Sequence, residues 1–349
     1  MAELRSIIGG TVTLSDVAKH AGVGKSTASA VLRGASETLR ISTATQERVQ
    51  QSAVDLRYRP NAVARGLAQG RMNTLGVLFR KVDRAIVSNS YAAGILEGIM
   101  GAASDSGFNV TLFADPIYGP RAMAPFVNDR RTDGILVVAP TVNSPIVASL
   151  ATERFPLITV SSRFEEHGVP SVDVDNELGT RLAVKHLIAL GHKRIAHMMG
   201  ALDQSDGIIR YEAFRKFLNS AGFPLPAEYI MPTDYWAVTG YEAARNVLTL
   251  PERPTAIFAS NDSMAVVALE AARDLGISVP SELSVVGFDD IPAAMLATPQ
   301  LTTIRQPLTE MGKLATNLLL SQIAGEEVYA KTYLLQPELV VRGSTGPPP

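Results

Sequence analysis

The chain has 349 residues, no cysteine, 46% apolar residues and 19% charged residues. This composition is typical of a folded protein with two or three domain-sized units, and it excludes disulfide bonds and thiolate metal sites. The net charge of -2 conceals an asymmetry, because residues 1–71 carry ten basic and five acidic side chains while the remainder carries 22 and 29. A basic N-terminal segment predicts a polyanionic partner, although a solvated charged surface gives the same pattern.

No run of residues approaches the roughly 18 apolar positions of a membrane span. The first twenty residues, MAELRSIIGGTVTLSDVAKH, lack the apolar centre of a signal peptide. We therefore expect a soluble cytoplasmic protein with no membrane partner.

Residues 13–56 have the pattern of three helices and contain no predicted strand. The second helix is predicted to bury Ala28 and Val31, after a tight glycine turn that follows the first helix. The third begins after Ser42 as its N-cap and buries Val49. Two helices joined by a tight turn and supported by a third are typical of the helix-turn-helix motif.

The run Gly24-Lys25-Ser26-Thr27 looks like the end of a nucleotide-binding phosphate loop. Such a loop needs a glycine five residues before the Gly-Lys pair and a strand leading into it, whereas here that position is Lys19 and an amphipathic helix precedes it. A helix-turn-helix explains the run better, because side chains near the start of the second helix can touch base edges in the major groove. The residues predicted to point away from the core are Lys25, Ser26, Ser29 and Ala30. A small helical subdomain with incidental polar caps is the structural alternative.

The segment RYRPNAVARGLAQGR, residues 57–71, has the composition of a hinge. It can form about two helical turns after its proline, and a helix that short needs support from DNA and a partner chain. Leu67 could then wedge between base steps in the minor groove, with Asn61 and Arg65 holding phosphates or groove edges. Burial of Leu67 against the body or the other subunit is the alternative.

Beyond Arg71, short β-branched runs alternate with helical stretches. Apolar strands joined by crossover helices predict parallel sheets that are covered on both faces. Because the segment is too long for one open sheet, we predict two similar α/β lobes with a ligand cleft at the carboxyl ends of their strands. The predicted strands are residues 74–79, 108–113, 134–139, 156–160, 194–199, 255–260 and 283–288.

Long stretches in both parts of the chain carry a family pattern. In the head they are TLSDVAKHAGVGKSTASAVLRG, ISTATQERV and YRPNAVARGL, and in the body RRTDGILVVAP, VDVDNELGTRLAVKHLIALGHKRIA, ASNDSMAVVALEAARDLGISVPSELSVVGFDD and PQLTTIRQP. Over residues 13–342 the chain thereby resembles the lactose/galactose repressor (LacI/GalR) family of bacterial transcription factors. The resemblance implies an α/β protein: an all-α helix-turn-helix head, and a two-lobe periplasmic-binding-protein-like core of parallel sheets flanked by helices.

The implied domains are a DNA-binding head at 13–60, a hinge helix and linker at 61–73 and a core at 74–342. The composition of the tail at 343–349, GSTGPPP, predicts disorder. Within the core, lobe 1 takes residues 74–174 and 305–334, and lobe 2 takes 175–304 and 335–342. The resemblance also implies a homodimer or tetramer on a pseudo-palindromic operator in double-stranded DNA. A small effector, a sugar or sugar acid, is expected between the lobes, with no cofactor and no metal.

The complete set of expected DNA contacts is Thr13, Ser15, Lys25, Ser26, Thr27, Ser29, Ala30, Arg33, Asn61, Arg65 and Leu67. The resemblance implies effector contacts from Tyr91, Ser162, Arg163, Arg210, Tyr235, Trp236, Asn261, Asp289 and Gln306. Polyol recognition needs donors, acceptors and a flat apolar surface, which a guanidinium, carboxylate, amide and aromatic rings supply. Each has an ordinary alternative: Asn261 as a helix cap, Asp289 as a turn brace, Arg210 in a surface ion pair, and the aromatic residues as core or rim.

The chain departs from the family pattern at several of these positions. Arg33 stands where an Asn is common, Ser162 replaces an Asp, and Trp236 occupies a position that is more often small and polar. The loops at 35–40 and 80–88 are enlarged. The effector can therefore not be transferred from a known member of the family.

The function predicted from the sequence is that of a repressor, most simply of a carbohydrate-utilisation operon, controlled by its effector. A regulator that requires a purine or nucleoside corepressor and a solute-binding protein are the alternatives. An enzyme is not predicted, because no G-x-S-x-G, H-E-x-x-H or G-x-G-x-x-G lies in a suitable context and the five histidines have no ligand spacing.

Overall fold

The computed structural model describes residues 12–34, 40–61, 66, 70–79, 89–113, 131–223, 225–235 and 237–349. The chain divides into two compact units, Met1–Met72, called the head unit below, and Asn73–Pro349, called the core unit. Among the described helices, none combines the length and the apolar character that crossing a membrane requires.

The head unit contains three helices in the order that the sequence predicts. They are α1 (Leu14–His20), α2 (Lys25–Leu32) and α3 (Thr43–Asp55). Thr13 caps α1, since its hydroxyl and its N–H both donate to the Asp16 carboxylate, at 2.8 and 2.9 Å. Gly22 has a φ of +64° in the turn between α1 and α2, a conformation that glycine adopts at little cost. The N-cap of α3 is Ser42, as predicted.

One apolar cluster holds the three helices together. All three contribute to it, because each presents apolar residues at helical spacing toward the other two. Its buried members are Val17, Ala18, Ala21, Ala28, Val31 and Val49.

The core unit contains twelve described strands and eight described helices. The strands are β1 (Thr74–Phe79), β2 (Asn109–Leu112), β3 (Gly134–Val138), β4 (Leu157–Val160), β5 (Ser171–Val174), β6 (Ile195–Met198), β7 (Ile230–Met231), β8 (Ala256–Ala259), β9 (Ser284–Asp289), β10 (Thr302–Arg305), β11 (Thr332–Leu335) and β12 (Glu338–Val340). The helices are α4 (Ser90–Asp105), α5 (Pro145–Thr152), α6 (Asn176–Ala189), α7 (Ser205–Ser220), α8 (Ala237–Leu248), α9 (Asp262–Asp274), α10 (Pro292–Leu296) and α11 (Leu308–Ala324).

The strands form two six-stranded sheets, which define the two lobes. Lobe 1 has the order β11-β5-β4-β3-β1-β2, with every neighbouring pair parallel. Lobe 2 has the order β12-β10-β9-β8-β6-β7, and its edge pair β10–β12 is antiparallel. The chain passes between the lobes after β5, β10 and β11. The carboxyl ends of the central strands therefore meet where the lobes face each other.

The seven strands predicted from the sequence are all present, each within one residue of its predicted ends. Five further strands, β5, β7, β10, β11 and β12, were not predicted. The central strands β3, β4, β8 and β9 are buried at every residue, as expected for parallel strands covered by helices on both faces.

Two glycines allow α4 and α11 to pack closely in lobe 1. A Cβ atom on Gly98 would overlap the backbone of Thr309, and one on Gly312 would overlap the backbone of Ile95. The two helices therefore meet backbone to backbone. This contact fixes the first turn of α4 next to the segment that joins β10 to α11.

The expectation of a disordered tail is wrong for the residues that follow β12. The Ser344 side chain is fully buried, and its hydroxyl donates to the Val285 carbonyl at 2.6 Å. The Gly346 carbonyl accepts a hydrogen bond from His192 Nε2 at 2.9 Å. Composition suggested disorder, but these buried partners give the backbone of the tail specific hydrogen bonds along lobe 2.

Candidate functional site

Most of the effector residues predicted in the core lie at the carboxyl ends of strands. Asn261 follows β8, Asp289 ends β9 and Gln306 follows β10. Tyr91 lies in the first turn of α4, and Arg210 lies in α7, the helix after β6. This edge of a parallel sheet is where open α/β folds bind ligands, because helix starts and strand ends converge there.

Arg210 is the buried centre of this site, with 3% of its surface exposed. Its Nε donates to Asn176 Oδ1 at 2.7 Å, and one terminal nitrogen donates to the Ser260 carbonyl at 2.5 Å. Its guanidinium carbon lies 3.7 Å from the centre of the Phe288 ring, a cation–π contact. The surface ion pair considered for Arg210 is therefore wrong, because this side chain belongs to the interior of the cleft.

Asp206 lies one helical turn before Arg210 on α7. Its Oδ2 accepts a hydrogen bond from the Tyr235 hydroxyl at 2.7 Å and lies 3.9 Å from an Arg210 terminal nitrogen. Its other oxygen, Oδ1, is buried and has no hydrogen-bond partner among the described residues. A buried carboxylate oxygen without a donor is costly, so Oδ1 is an acceptor available to a ligand.

Two more carboxyl groups surround the same guanidinium. Asp289 is buried and accepts a hydrogen bond from Gln306 Nε2 at 2.6 Å. Asp173, at β5, is also buried and accepts from Asn176 Nδ2 at 3.1 and 3.2 Å. Asn176 thereby links Asp173 to Arg210. Asp289 acts on the same guanidinium through its charge.

Burial shifts the titration of these acids. It raises the pKa of Asp173 to about 7, against the opposing influence of Arg163. Burial, followed by the charge of Asp262, raises the pKa of Asp289 well above its usual value. The pKa of Tyr235 is raised by burial and by Asp206. Perturbed groups gathered at one strand edge are typical of a functional site, since folding alone would not favour them.

Asn261 and Tyr91 complete the polar lining, each with part of its side chain committed to the protein. Asn261 Oδ1 accepts the Met264 N–H at 2.8 Å and caps α9, and its amide nitrogen can serve a ligand. The Tyr91 hydroxyl donates to Ser161 Oγ. Burial raises the pKa of Tyr91, and the carboxyl groups of Asp206, Asp173 and Asp289 raise it further. The hydroxyl therefore stays protonated as a donor.

The backbone is strained at the same edge. Of the nine described non-glycine residues with a positive φ, five lie at this edge: Ala139 (48°), Ser161 (58°), Tyr235 (70°), Asp289 (126°) and Asp290 (60°). Such conformations cost about 1–3 kcal/mol each and persist where the surrounding structure holds them. Their position beside the cleft agrees with a site whose geometry is fixed before a ligand arrives.

Ser162, a predicted effector contact, has its side chain engaged with protein groups in this structure, and the contact stays a prediction. Its side chain is 0% exposed, and its hydroxyl bonds to the Pro140 carbonyl at 3.1 Å and to Ser205 Oγ at 2.9 Å. Ser205 opens α7 in lobe 2, so this pair joins the two lobes directly. The Ser162 hydroxyl thus already bonds to two protein groups. Arg163 interacts with Asp173 at 3.5 Å.

Further bonds between the lobes surround this serine pair, and we call the set the lobe bridge. Its other members are Val142 N–H to the Asp203 carbonyl at 2.9 Å, Gln204 Nε2 to the Ala139 carbonyl at 3.2 Å, and Arg163 N–H to Ser205 Oγ at 3.3 Å. The lobe bridge joins the loops after β3 and β4 to the loop after β6. It links the two lobes beside the cleft.

A cavity of about 600 Å³ opens between the lobes beside Asp289 and Gln306. Its walls come from α4, the loop after β9, the β10–α11 crossing and the segment before β12. Its charged lining is mainly acidic, consisting of Glu97, Asp289, Asp290, Arg305, Glu310 and Glu338. Of the predicted effector residues, Asp289 and Gln306 line this cavity, whereas Arg210 and Tyr235 do not.

In the head unit, the start of α2 presents polar side chains to solvent. Lys25 and Ser26 are exposed, and Thr27 and Ser29 are half-buried. Arg33 follows α2 and is exposed, with its Nε bonded to the Ser29 carbonyl at 3.1 Å. These positions are compatible with the predicted contacts to base edges and phosphates.

Four other head predictions have different outcomes. Ala30 was expected to point away from the protein, but it is 1% exposed, so this expectation is wrong. A single methyl group close to its own helix needs little cover, and Arg33 folds back over the neighbouring turn. Thr13 uses its hydroxyl in the cap of α1, whereas Ser15 is exposed. Asn61 is also exposed.

Several predicted positions lie outside the described residues. They are Arg65, Leu67 and Trp236, together with residues 35–39 and 80–88 of the enlarged loops.

Four residues of the site were not predicted from the sequence: Asp173, Asn176, Ser205 and Asp206. Two of them carried a usable signal. Asp173 lies within a short apolar run, SVDV, where an acid is unusual, and Asp206 lies four residues before Arg210, on the same face of a helix. Ser205 and Asn176 carried none, because a polar residue at the start of a helix is ordinary.

Known proteins match both units of the chain. Residues 13–61 match the family described as "Bacterial regulatory proteins, lacI family", and residues 184–345 match the "Periplasmic binding protein-like domain". Catabolite control protein A of Priestia megaterium is 32% identical over 337 residues, covering 96% of this chain and 99% of its own. The HTH-type transcriptional repressor PurR of Erwinia tasmaniensis is 31% identical over 341 residues, covering 97% and 98%.

Solved structures agree with these matches. The Lac repressor dimer bound to operator and the anti-inducer ONPF superposes with a TM-score of 0.85 at 29% identity, covering 97% of this chain and 100% of that one. The complex of the transcriptional regulator CelR with cellobiose gives a TM-score of 0.73 at 30% identity, covering 95% and 99%.

Proposed function

The chain belongs to the lacI family of bacterial regulatory proteins, and on that premise we propose that it is an operator-binding repressor controlled by a small polyhydroxylated effector in the cleft. The single observation that supports an effector in the cleft is the buried network of polar groups around Arg210. A guanidinium, carboxylates, tyrosyl hydroxyls and amides converge there at strand ends, and no packing requirement explains them. These groups supply the donors and acceptors that a polyol needs.

The DNA part of the proposal rests on the head unit. Its basic character favours a polyanion, and the exposed start of α2 offers Lys25 and Ser26 to the major groove. Ser29 and Arg33 extend the same surface. Binding is expected to weaken steeply with salt, because Lys and Arg release counterions from the phosphates.

The relatives and solved structures support several further features. The Lac repressor structure is a dimer on an operator, which supports a homodimer of this chain on a pseudo-palindromic site. The CelR structure is a complex with cellobiose, which supports a carbohydrate as effector class. Regulatory relatives of full length support a role without catalysis, in the bacterial cytoplasm where operator DNA lies.

Coupling between effector and operator is proposed to act through the arrangement of the lobes. A ligand shifts this arrangement only if it binds one arrangement better than another. The lobe bridge lies beside the cleft and joins lobe to lobe, so a ligand that alters the spacing of Arg210 and Tyr91 also acts on those bonds. Operator affinity then follows from the geometry that the core imposes on the paired head units.

The test begins with the full-length protein and a pool of random duplexes. Enrichment should yield a pseudo-palindromic sequence, bound at about nanomolar strength and far more tightly than random competitor. Gel shifts on that sequence are then repeated with each sugar, sugar acid or purine that raises the melting temperature of the protein. A carbohydrate that changes operator affinity supports the proposal, and a purine that does so favours the corepressor alternative. No preference over random duplex, at low and moderate salt, refutes it.

A further inference from the structure

The loop after β9, residues 289–291, carries one of the predicted effector contacts on a strained backbone. Asp289 and Asp290 both have a positive φ, of 126° and 60°. Residues with a side chain rarely adopt such angles, so the surrounding structure must hold the loop in this conformation. The hydrogen bonds to the loop backbone show which residue does so.

One buried carboxylate, that of Asp262, binds the loop. Asp262 is fully buried, and its Oδ2 accepts the Ile291 N–H at 2.9 Å. The Asp290 N–H donates to the same carboxylate. Its Oδ1 accepts the hydroxyl of Thr303 in β10. Because hydrogen bonds to an ionised acceptor are stronger than those between neutral groups, this side chain fixes two successive loop amides to a neighbouring strand.

Asp262 also lies beside the other predicted contacts at this edge. It is the first residue of α9 and directly follows Asn261, which caps that helix. Gln306, just beyond β10, donates to Asp289 at 2.6 Å. The Asp262 carboxylate therefore links the strand ends that carry Asn261, Asp289 and Gln306.

The sheet leaves room for this carboxylate at one glycine. A Cβ atom on Gly287, in β9, would overlap Asp262 Oδ1. Burial raises the pKa of Asp262 to about 6, and the hydrogen bonds from Thr303 and Ile291 oppose this rise. The carboxyl group is therefore ionised at about pH 7.5, where it accepts hydrogen bonds and donates none.

We propose that Asp262 is a positioning residue, which holds residues 289–291 in their strained conformation and thereby sets where Asp289 and Gln306 meet an effector. The inference rests on the proposed function, since it concerns the same cleft, and it gives Asp262 no contact with the effector. Loss of the carboxylate should release the loop. Effector binding should then weaken more than it does after a comparable loss of stability elsewhere in lobe 2.

The first measurement follows the loop without a ligand. Hydrogen exchange of the full-length protein at about pH 7.5 is read by mass spectrometry on peptides that contain residues 289–291. In wild type the Asp290 and Ile291 amides should exchange at least about 100-fold more slowly than in an unstructured peptide, although they lie in a loop. In Asp262→Asn they should exchange at least about tenfold faster than in wild type, because one of the two acceptor oxygens becomes a donor.

Two controls separate this effect from a general loss of stability or charge. Thr255 precedes β8, at the opposite end of that strand from Asp262, and its hydroxyl bonds to the buried His192 at 2.9 Å. Thr255→Val should lower the free energy of unfolding in urea and leave exchange at residues 289–291 as in wild type. Asp274→Asn removes an exposed carboxylate from the end of α9 and should change neither property.

The second measurement follows effector affinity. The probes are cellobiose, glucose, galactose and gluconate, with adenine for the purine alternative, and their dissociation constants are measured by calorimetry on the full-length protein. A probe that binds wild type should bind Asp262→Asn at least about tenfold more weakly, because contacts that depend on a fixed geometry lose affinity when their support is removed. The same probe should bind Thr255→Val and wild type equally.

The outcomes distinguish this inference from the proposed function. Rapid exchange of the loop amides in wild type overturns the role of Asp262, even where Asp262→Asn does not fold. Exchange or probe affinity that is unchanged in Asp262→Asn overturns it as well, as do equal losses of affinity in Asp262→Asn and Thr255→Val. All of these results leave an effector-controlled repressor intact. If no probe binds wild type, the effector part of the proposed function is refuted, and the positioning role falls with it.

Discussion

Replacing Arg210 with alanine should destabilise the core unit strongly. The change removes two hydrogen bonds from a charged donor, to Asn176 and Ser260, which are worth about 1.5–3 kcal/mol each. It also removes the cation–π contact with Phe288, worth about 2 kcal/mol when desolvated. The cost of burying the guanidinium offsets part of this sum. Because breaking a buried charge cluster typically costs about 3–5 kcal/mol, we expect a loss in that range.

A loss of about 3–5 kcal/mol corresponds to a change of roughly 150- to 4,000-fold in the unfolding equilibrium. It is measured by urea unfolding of the core unit within the full chain, followed by far-ultraviolet circular dichroism at about pH 7.5, where an arginine side chain stays charged. Arg215→Ala is the matched control, since Arg215 lies on the same helix in an exposed pair with Glu212 and should change stability by less than about 1 kcal/mol. Arg210→Lys keeps the positive charge but loses the planar set of N–H donors. Its loss of stability should therefore lie between those of Arg210→Ala and Arg215→Ala. A loss in Arg210→Ala no larger than that in Arg215→Ala would refute the interpretation of Arg210 as the centre of a buried network.

Three further predictions test other parts of the molecule. Ser205→Ala should lower the free energy of unfolding of the core unit by about 1–2 kcal/mol, measured by urea unfolding, because it leaves the buried Ser162 hydroxyl without one partner. Burial raises the pKa of Asp173 to about 7, so its stabilising contribution is present at low pH and lost as the pH rises through 7. Melting temperatures measured from about pH 5 to 8 should therefore fall less steeply in Asp173→Asn than in wild type, and equal slopes would contradict this. Lys25→Ala should weaken operator binding by about 1–3 kcal/mol in gel shifts, whereas Lys185→Ala in the core unit should not.

The order of elements could be predicted because local patterns and tertiary packing agree. The strands β3, β8 and β9 are apolar runs bounded by polar or glycine residues, and burial on both faces is what such runs require. The missed strands violate that pattern. Asp173 interrupts β5 with a carboxyl group, and β11 and β12 are short edge strands with half-exposed residues. Pairing with a neighbour, which no local pattern records, decides their conformation.

The candidate site was predictable in its location but not in its connections. A resemblance assigned Arg210, Asn261 and Asp289 to the cleft, and strand ends place them there. Which atoms remain available depends on partners that are distant in sequence. Asn261 uses its side-chain oxygen to cap α9, and its amide nitrogen stays available. The Ser162 hydroxyl, in contrast, bonds to Ser205, which lies 43 positions away in the sequence. Distant partners also decide the conformation of the tail. Its composition predicted disorder, but the buried Ser344 hydroxyl donates a hydrogen bond to the Val285 carbonyl.

Ser162 bears on the proposed regulation because its hydroxyl belongs to the lobe bridge, the set of hydrogen bonds that links the two lobes. Its four hydrogen bonds, at about 0.5–1.5 kcal/mol each, amount to a few kcal/mol between the lobes. Coupling energies in allosteric proteins are typically about 1–3 kcal/mol, which is of the same order. A position that the family resemblance gives to the ligand therefore serves here to hold one lobe against the other. If the effector binds at Asp206, Arg210 and Tyr235 as proposed, it needs only a modest difference in affinity between lobe arrangements to outweigh the bridge.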